Sequence, residues 1–192
     1  MMKENKTKKV VALAVAFILV VVCAVGGTLA WLKDSTETIT NTFRYGKVDI
    51  ELAETTGYEN GDNSYEYLLS EGSDVEKDPT VTVKGNSEDS YIFVKLDKSE
   101  NFDNYLSYTV DSAWTPLDGE EGVYYLTYTK NADDTDYAVL KDNKVSVNDG
   151  VTNAELEALT DLPTLNVTAY AVQAKNEEGI FTVEEAWNLI NQ

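Results

Sequence analysis

The sequence predicts a mainly β protein: an antiparallel, jelly-roll-like β-sandwich with two short helices, preceded by a cleavable apolar signal helix. Three observations lead there. Short runs of alternating apolar and polar residues recur from Lys47 onward. Clusters of Gly, Asn and Asp separate those runs. No strand–helix–strand alternation and no fixed-period repeat breaks the pattern. Period-two alternation marks strands with one face in a core and one in water, the habit of antiparallel sheets. Several such strands in one domain point to a sandwich or jelly roll.

Lys47 to Leu52 sets Val48, Ile50 and Leu52 on one face, and Tyr91 to Leu96 does the same with Ile92, Val94 and Leu96. Leu165 to Ala174 is the longest run, aligning Leu165, Val167, Ala169 and Ala171. Thr80 to Lys84, Leu106 to Val110, Val123 to Thr129 and Lys144 to Val147 are further strands, rich in Val, Thr and Tyr. Turns are expected at Asn60-Gly61-Asp62-Asn63, Lys84-Gly85-Asn86-Ser87, Asp118-Gly119 and Asn148-Asp149-Gly150. Both helices start with a capping box: Thr152 with Glu155, before Leu156 and Leu159, and Thr182 with Glu185, with Val183, Trp187 and Ile190 on one stripe.

The N-terminus reads as an export signal, residues 1–30. Lys3, Lys6, Lys8 and Lys9 precede an apolar run from Val10 to Val25, and Gly26-Gly27 then breaks it. Thr28-Leu29-Ala30 supplies the small residues of a cleavage site, with the cut expected between Ala30 and Trp31. The alternative is an anchor: from Val10 to Leu32 the stretch holds 23 residues, enough for a bilayer, which needs roughly 20. Left uncleaved, it would be the protein's only tie to a membrane. Cys23 lies inside the apolar run after bulky Val22, which suits a small hydrophobe rather than a lipid-modified cysteine. Residues 31–46 then form an extended N-terminal segment, and 47–192 the sandwich domain. No sorting motif, second apolar span or basic tail follows the last helix, so no C-terminal anchor is expected.

Composition narrows the function. Cys23 is the sole cysteine, so the mature chain forms no disulfide, a pattern that fits a Gram-positive exported protein. The formal charge is −19, and removing a leader with four lysines and one glutamate leaves −22. Such a surface repels nucleic acid and anionic lipid and favours divalent cations or basic partners. There is no histidine, which removes the commonest general base, the histidine-dependent triads and the usual zinc helices together. No catalytic residue, cofactor site or enzyme activity is expected. Calcium is the metal to weigh: Asp133, Asp134 and Asp136 with Asn131, and Asn60, Asp62 and Asn63, put hard oxygen donors on expected loops. Neither group has EF-hand spacing, and solvated hairpin turns on an acidic protein are the favoured reading. Tyr65, Tyr67, Tyr105, Tyr108, Tyr124, Tyr125 and Tyr128 suit packing on a pleated surface; the other reading is a binding face for glycan or partner.

Three stretches together resemble one family. Val25-Gly26-Gly27-Thr28-Leu29-Ala30-Trp31 is similar to signals cut by the signal peptidase SipW of Gram-positive bacteria. Asp34, Thr40-Asn41-Thr42-Phe43 and Gly46-Lys47-Val48-Asp49-Ile50 resemble the opening of TasA and camelysin-like proteins. Lys77-Asp78-Pro79-Thr80-Val81, Gly85-Asn86 and Tyr91-Ile92-Phe93-Val94-Lys95 resemble that family's central segment, and Ala169 to Ala174 with Glu185-Ala186-Trp187 its closing strand and helix. The likeness is loose between residues 97 and 164. It implies a jelly roll and a secreted biofilm-matrix role, in which subunits form fibres by lending an N-terminal strand to the next subunit. Camelysin-like members are sometimes called metallopeptidases; without His or mature Cys a zinc site here would be all oxygen, so that activity is not carried over.

The expected function is therefore a fibre-forming structural subunit of an extracellular matrix, with itself or related matrix subunits as partners. Trp31, Ile39 and Phe43 are the expected anchors of a donated strand. The same segment could instead be the first strand of its own sheet or a loose tail. The alternative function is a monomeric secreted or membrane-tethered protein that binds glycan or another surface protein.

Overall fold

The computed structural model describes residues 47–59, 64–176 and 179–190, all within the compact unit Tyr45–Gln192. The leader, the Ala30/Trp31 junction, the segment with Trp31, Ile39 and Phe43, and the turn at Asn60, Asp62 and Asn63 lie outside the described residues. Among the described residues no helix is long and apolar enough to cross a membrane.

The chain begins with β1 (Ile50–Ala53), β2 (Tyr58–Glu59), β3 (Tyr65–Glu66), β4 (Asp74–Glu76), β5 (Thr80–Val83) and β6 (Ser90–Lys98). A short helix α1 (Phe102–Tyr105) leads to β7 (Leu106–Val110), β8 (Thr115–Pro116), β9 (Val123–Tyr128), β10 (Thr135–Ala138) and β11 (Leu140–Val147). Helix α2 (Asn153–Glu157), β12 (Leu165–Gln173), β13 (Lys175–Asn176), β14 (Gly179–Ile180) and helix α3 (Val183–Ile190) complete it. Every strand pairing is antiparallel. The sheets run β1-β5-β10, β4-β11-β7 and β12-β6-β9-β8, with two small hairpins, β2-β3 and β13-β14.

The expected alternation sets the core. Val81 and Val83 of β5, Ile92, Val94 and Leu96 of β6, Leu126 and Tyr128 of β9, and Leu140, Val145 and Val147 of β11 form one buried cluster. All three larger sheets thus turn one face to a shared interior, a sandwich-like arrangement. The tyrosines mostly do what the pleat suggests: Tyr128 is buried, Tyr105, Tyr108 and Tyr124 pack on this core, and Tyr125 packs on a second.

That second core corrects an expectation. Tyr91 to Leu96 reads as a strand with one wet face, yet Phe93, on the supposedly wet side, is 0% exposed. Helix α3 lies there, with the Trp187 ring 5.3 Å from Phe93 and 5.8 Å from Tyr170. Ala186, also fully buried, lets the helix approach. Both predicted capping boxes form: Thr152 N and Thr182 N donate to Glu155 Oε2 and Glu185 Oε2 at 2.9 and 2.8 Å, and the Thr hydroxyls accept from the glutamate amides. Helix α1 and the strands β2, β3, β4, β8, β10, β13 and β14 are additions to the sequence reading. Each is two to four residues long, too short for a period-two signal.

Trp187 is the large buried side chain that α3 brings to the sheet, beside the small Ala186. Trp187→Ala should cost about 3 to 5 kcal/mol, measured as a loss of denaturant midpoint; a change below about 1 kcal/mol would show that α3 contributes little.

Candidate functional site

The longest free edge among the described residues belongs to β12. It pairs with β6 over nine residues, Leu165 opposite Lys98 through Gln173 opposite Ser90. On its other side no ladder or other backbone hydrogen bond occurs among the described residues. Its sequence, Leu-Asn-Val-Thr-Ala-Tyr-Ala-Val-Gln, has neither charge nor proline. Edge strands are normally blunted by charges, Pro or shortness, and the neighbouring edges follow that rule. Thus β1 carries Glu51, β4 Asp74 and Glu76, β10 Asp136, and β8 Pro116. Strand β7 is also uncharged but spans five residues, and its pairing with β11 is broken between Leu140 and Val145.

The core is incompletely covered at this edge. Leu165, Val167, Ala169 and Ala171 face the main core yet remain half-buried, as do Val48, Ile50 and Leu52 around β1. Cα atoms of β1 and β12 come within 8 Å without forming a ladder. The two sheets therefore meet along an apolar seam. Ala169 and Ala171 are small residues at alternate positions facing the core, where a strand usually carries branched or aromatic ones.

A second constellation sits beside β1. Lys77 Nζ lies 2.7 and 2.9 Å from the two carboxylate oxygens of Glu54, with both side chains only 11% exposed. The Tyr67 hydroxyl donates to Glu54 Oε2 at 2.8 Å, and its ring lies 5.2 Å from Nζ. Burial, then the contact with Glu54, push the Tyr67 phenol above its ordinary value. Asp78 accepts hydrogen bonds from the amides and hydroxyls of Thr55 and Thr56. Partial burial works to raise its carboxyl, but those four bonds outweigh it and bring it from 3.8 to about 2. Lys77 and Asp78, singled out only for their family resemblance, thus clamp the chain leaving β1 to the chain entering β5. Glu54, among so many acidic residues, gave no sequence signal of its own.

Two of the calcium candidates, Asp134 and Asp136, accept hydrogen bonds from neighbouring strands and turns. Asp136 is not on a loop: it lies in β10, and its Oδ1 accepts from the Thr82 hydroxyl at 2.6 Å. Asp134 accepts from the Gly85 amide at 2.7 Å, which holds its carboxyl below the ordinary value, and sits 3.5 Å from Lys84 Nζ. Near Asp133, the Asn131 side chain accepts from the Ala132 amide at 2.7 Å. No group of three or more His, Cys, Asp or Glu side chains poised for a metal occurs among the described residues. Gly85 is fixed by this close packing: a Cβ there would stand 2.3 Å from the Ala132 carbonyl oxygen.

A shallow cavity of about 260 Å³ opens where β11 bulges, lined by Ser107, Tyr108, Thr109, Lys141, Asp142, Lys144 and Ser146. Its walls mix hydroxyls with charged side chains. It falls just below the range of ligand-site volumes, about 300 to 1,000 Å³.

No family model matches the chain, nor does any curated protein or solved structure. The likeness to TasA and camelysin-like proteins rests on the sequence motifs alone. What the fold defines is a mainly β, antiparallel, sandwich-like domain with one long uncharged edge.

Two outcomes test these contacts. Gly85→Ala should destabilise by about 3 kcal/mol through overpacking against Ala132, read from denaturant unfolding. The Asp78 contribution to stability is complete above 3.8 and is lost as pH falls through about 2. Asp78→Asn should therefore lower stability at neutral pH and flatten the acid limb of the stability curve; an unchanged acid limb would contradict the assignment.

Proposed function

We propose that this protein is a secreted structural subunit of a Gram-positive biofilm matrix, assembling by strand addition at the β12 edge. The observation that carries the reading is that edge: nine residues long, free of charge and proline, over half-covered apolar side chains. An extended peptide laid along it gains main-chain hydrogen bonds, and its alternate side chains cover Leu165, Val167, Ala169 and Ala171. The donor is the segment freed by cleavage between Ala30 and Trp31 on another copy, with Trp31, Ile39 and Phe43 as the large side chains that meet the small Ala169 and Ala171. The added strand completes a jelly-roll-like sandwich. A head-to-tail contact of this kind does not close on itself and so grows a filament.

Charge sets the conditions. With −22 on each mature subunit, copies repel one another until salt or divalent ions screen them; the screening length is about 8 Å at physiological ionic strength. Calcium acts here by screening, with no dedicated site required. SipW-type cleavage releases the donor; an uncleaved leader leaves the protein tethered.

The second reading, a monomeric surface protein that binds glycan or another surface protein, is favoured by the polar cavity at the β11 bulge, where hydroxyls stand beside Lys141, Asp142 and Lys144.

Protein beginning at Trp31 should form filaments visible by electron microscopy once salt or calcium is added, and deletion of residues 31–43 should abolish them. Thr168→Lys, a charge placed at an exposed position of β12, should block filaments while leaving the monomer folded. A monomer that persists under every ionic condition would contradict assembly and favour the second reading.

A further inference from the structure

One ion pair differs in kind from the rest. The other salt bridges among the described residues join side chains that are each at least 33% exposed, whereas Glu54 and Lys77 are both at 11%. Burying two charges costs several kcal/mol each before their attraction is counted. This pair is also held from several sides. Lys77 lies 9% exposed under the Tyr67 ring, its own amide donates to the Asn143 carbonyl at 2.8 Å, and Tyr67 bonds to the Glu54 carboxylate. Just beyond the pair, Ala53 and Thr80 are register partners in the β1-β5 ladder. A primary amine and a carboxyl are thereby fixed together, away from water, at the base of one sheet.

We propose that Glu54 and Lys77 are the site of an intramolecular isopeptide bond. With Nζ in reach of both carboxylate oxygens, it faces the carbon they share. The terminal torsion of Glu is broad, so a turn of the carboxyl offers that carbon's face to the amine. Proton transfer across the 2.7 Å contact converts ammonium and carboxylate to amine and acid. The Nζ lone pair then forms a bond to Cδ, and the Tyr67 hydroxyl steadies the oxygen that gathers negative charge. Loss of the other oxygen as water breaks one C–O bond, and the nitrogen gives up its second proton to that water. The sum is one carboxylate and one ammonium giving one amide and one water, with no change of oxidation state. The product exchanges two buried charges for one neutral amide and so removes their desolvation cost.

The bond would close the chain from Glu54 to Lys77 into a ring that includes β2, β3 and β4. In a mature chain without cysteine it takes the place of a disulfide, restricting the unfolded state. It also ties the end of β1, the first described strand, covalently to the approach to β5, so that a pull from the N-terminal side, which opens the ladder from Ile50 and Val83 inward, stops at the cross-link. The inference does not depend on filament formation.

The test is peptide mass. Between Lys47 and Lys84 the only tryptic site is Lys77. Full-length secreted protein, denatured and digested, should yield residues 48–84 as one peptide, lighter than its sequence by one water, with fragment ions placing the loss between Glu54 and Lys77. Lys77→Arg keeps a cation but cannot condense, and its peptides should run at full mass. Tyr67→Phe keeps the ring and should leave a measurable fraction uncondensed. Wild-type peptide 48–77 released at full mass from folded protein would overturn the proposal, as would a water loss that survives in Lys77→Arg.

Discussion

The nine-residue ladder between β6 and β12 is the interaction on which the rest of the structure depends. It fixes a strand whose two faces do different work. Ile92, Val94 and Leu96 of β6, with Leu165, Val167, Ala169 and Ala171 of β12, point into the main core. Phe93 and Tyr170 point to the other side, where they receive Trp187. A slip of one residue would exchange those faces, sending the small alanines to the helix and the large rings into the sandwich. The ladder also uses up only one side of β12. Among the described residues no backbone group pairs with its far side, and that remaining hydrogen-bonding capacity supports the proposed assembly.

Charge placement sharpens the contrast. The acidic residues are dispersed over turns and short edges, where they pair with lysines, as Asp74 does with Lys144 and Glu51 with Lys84. Each exposed pair is worth little on its own, about 0 to 1 kcal/mol. Their collective effect is to keep separate molecules apart and the shorter edges unavailable. Strand β12 has no such guard. In a chain this acidic, the longest edge among the described residues is neutral. The Glu54–Lys77 pair stands at the opposite extreme: charges drawn into the interior and held there by Tyr67.

Much of this was legible in the sequence, and the gaps have physical causes. Strands β6, β9 and β12 announced themselves because alternation over five or more residues is hard to mimic, whereas β11 showed only over Lys144 to Val147, half of its length. Helices α2 and α3 announced themselves through Thr and Glu three positions apart. Phe93 was misread because period-two logic assumes one solvated face; only the docking of α3, 94 residues later for Trp187, covers the second. Strand β10 was hidden by its own acidity: Asp133, Asp134 and Asp136 read as a loop of oxygen donors, while Asp136 lies in a strand and bonds to Thr82. The Glu54–Lys77 contact spans 23 residues, beyond any local rule. The signal that could have found it is positional: Glu54 directly follows β1, and Lys77 stands three residues before the start of its partner β5. The β12 edge was visible as an uncharged run, but that it ends its sheet is a property of topology alone.

The most direct measurement is hydrogen exchange of the β12 amides in monomer and in assembled material. Residues 165–173 carry alternate amides on the side away from β6; these should exchange quickly in the monomer and become protected on assembly, while amides bonded to β6 stay protected in both. Unchanged exchange along β12 in assembled material, with new protection elsewhere, would contradict strand addition at this edge.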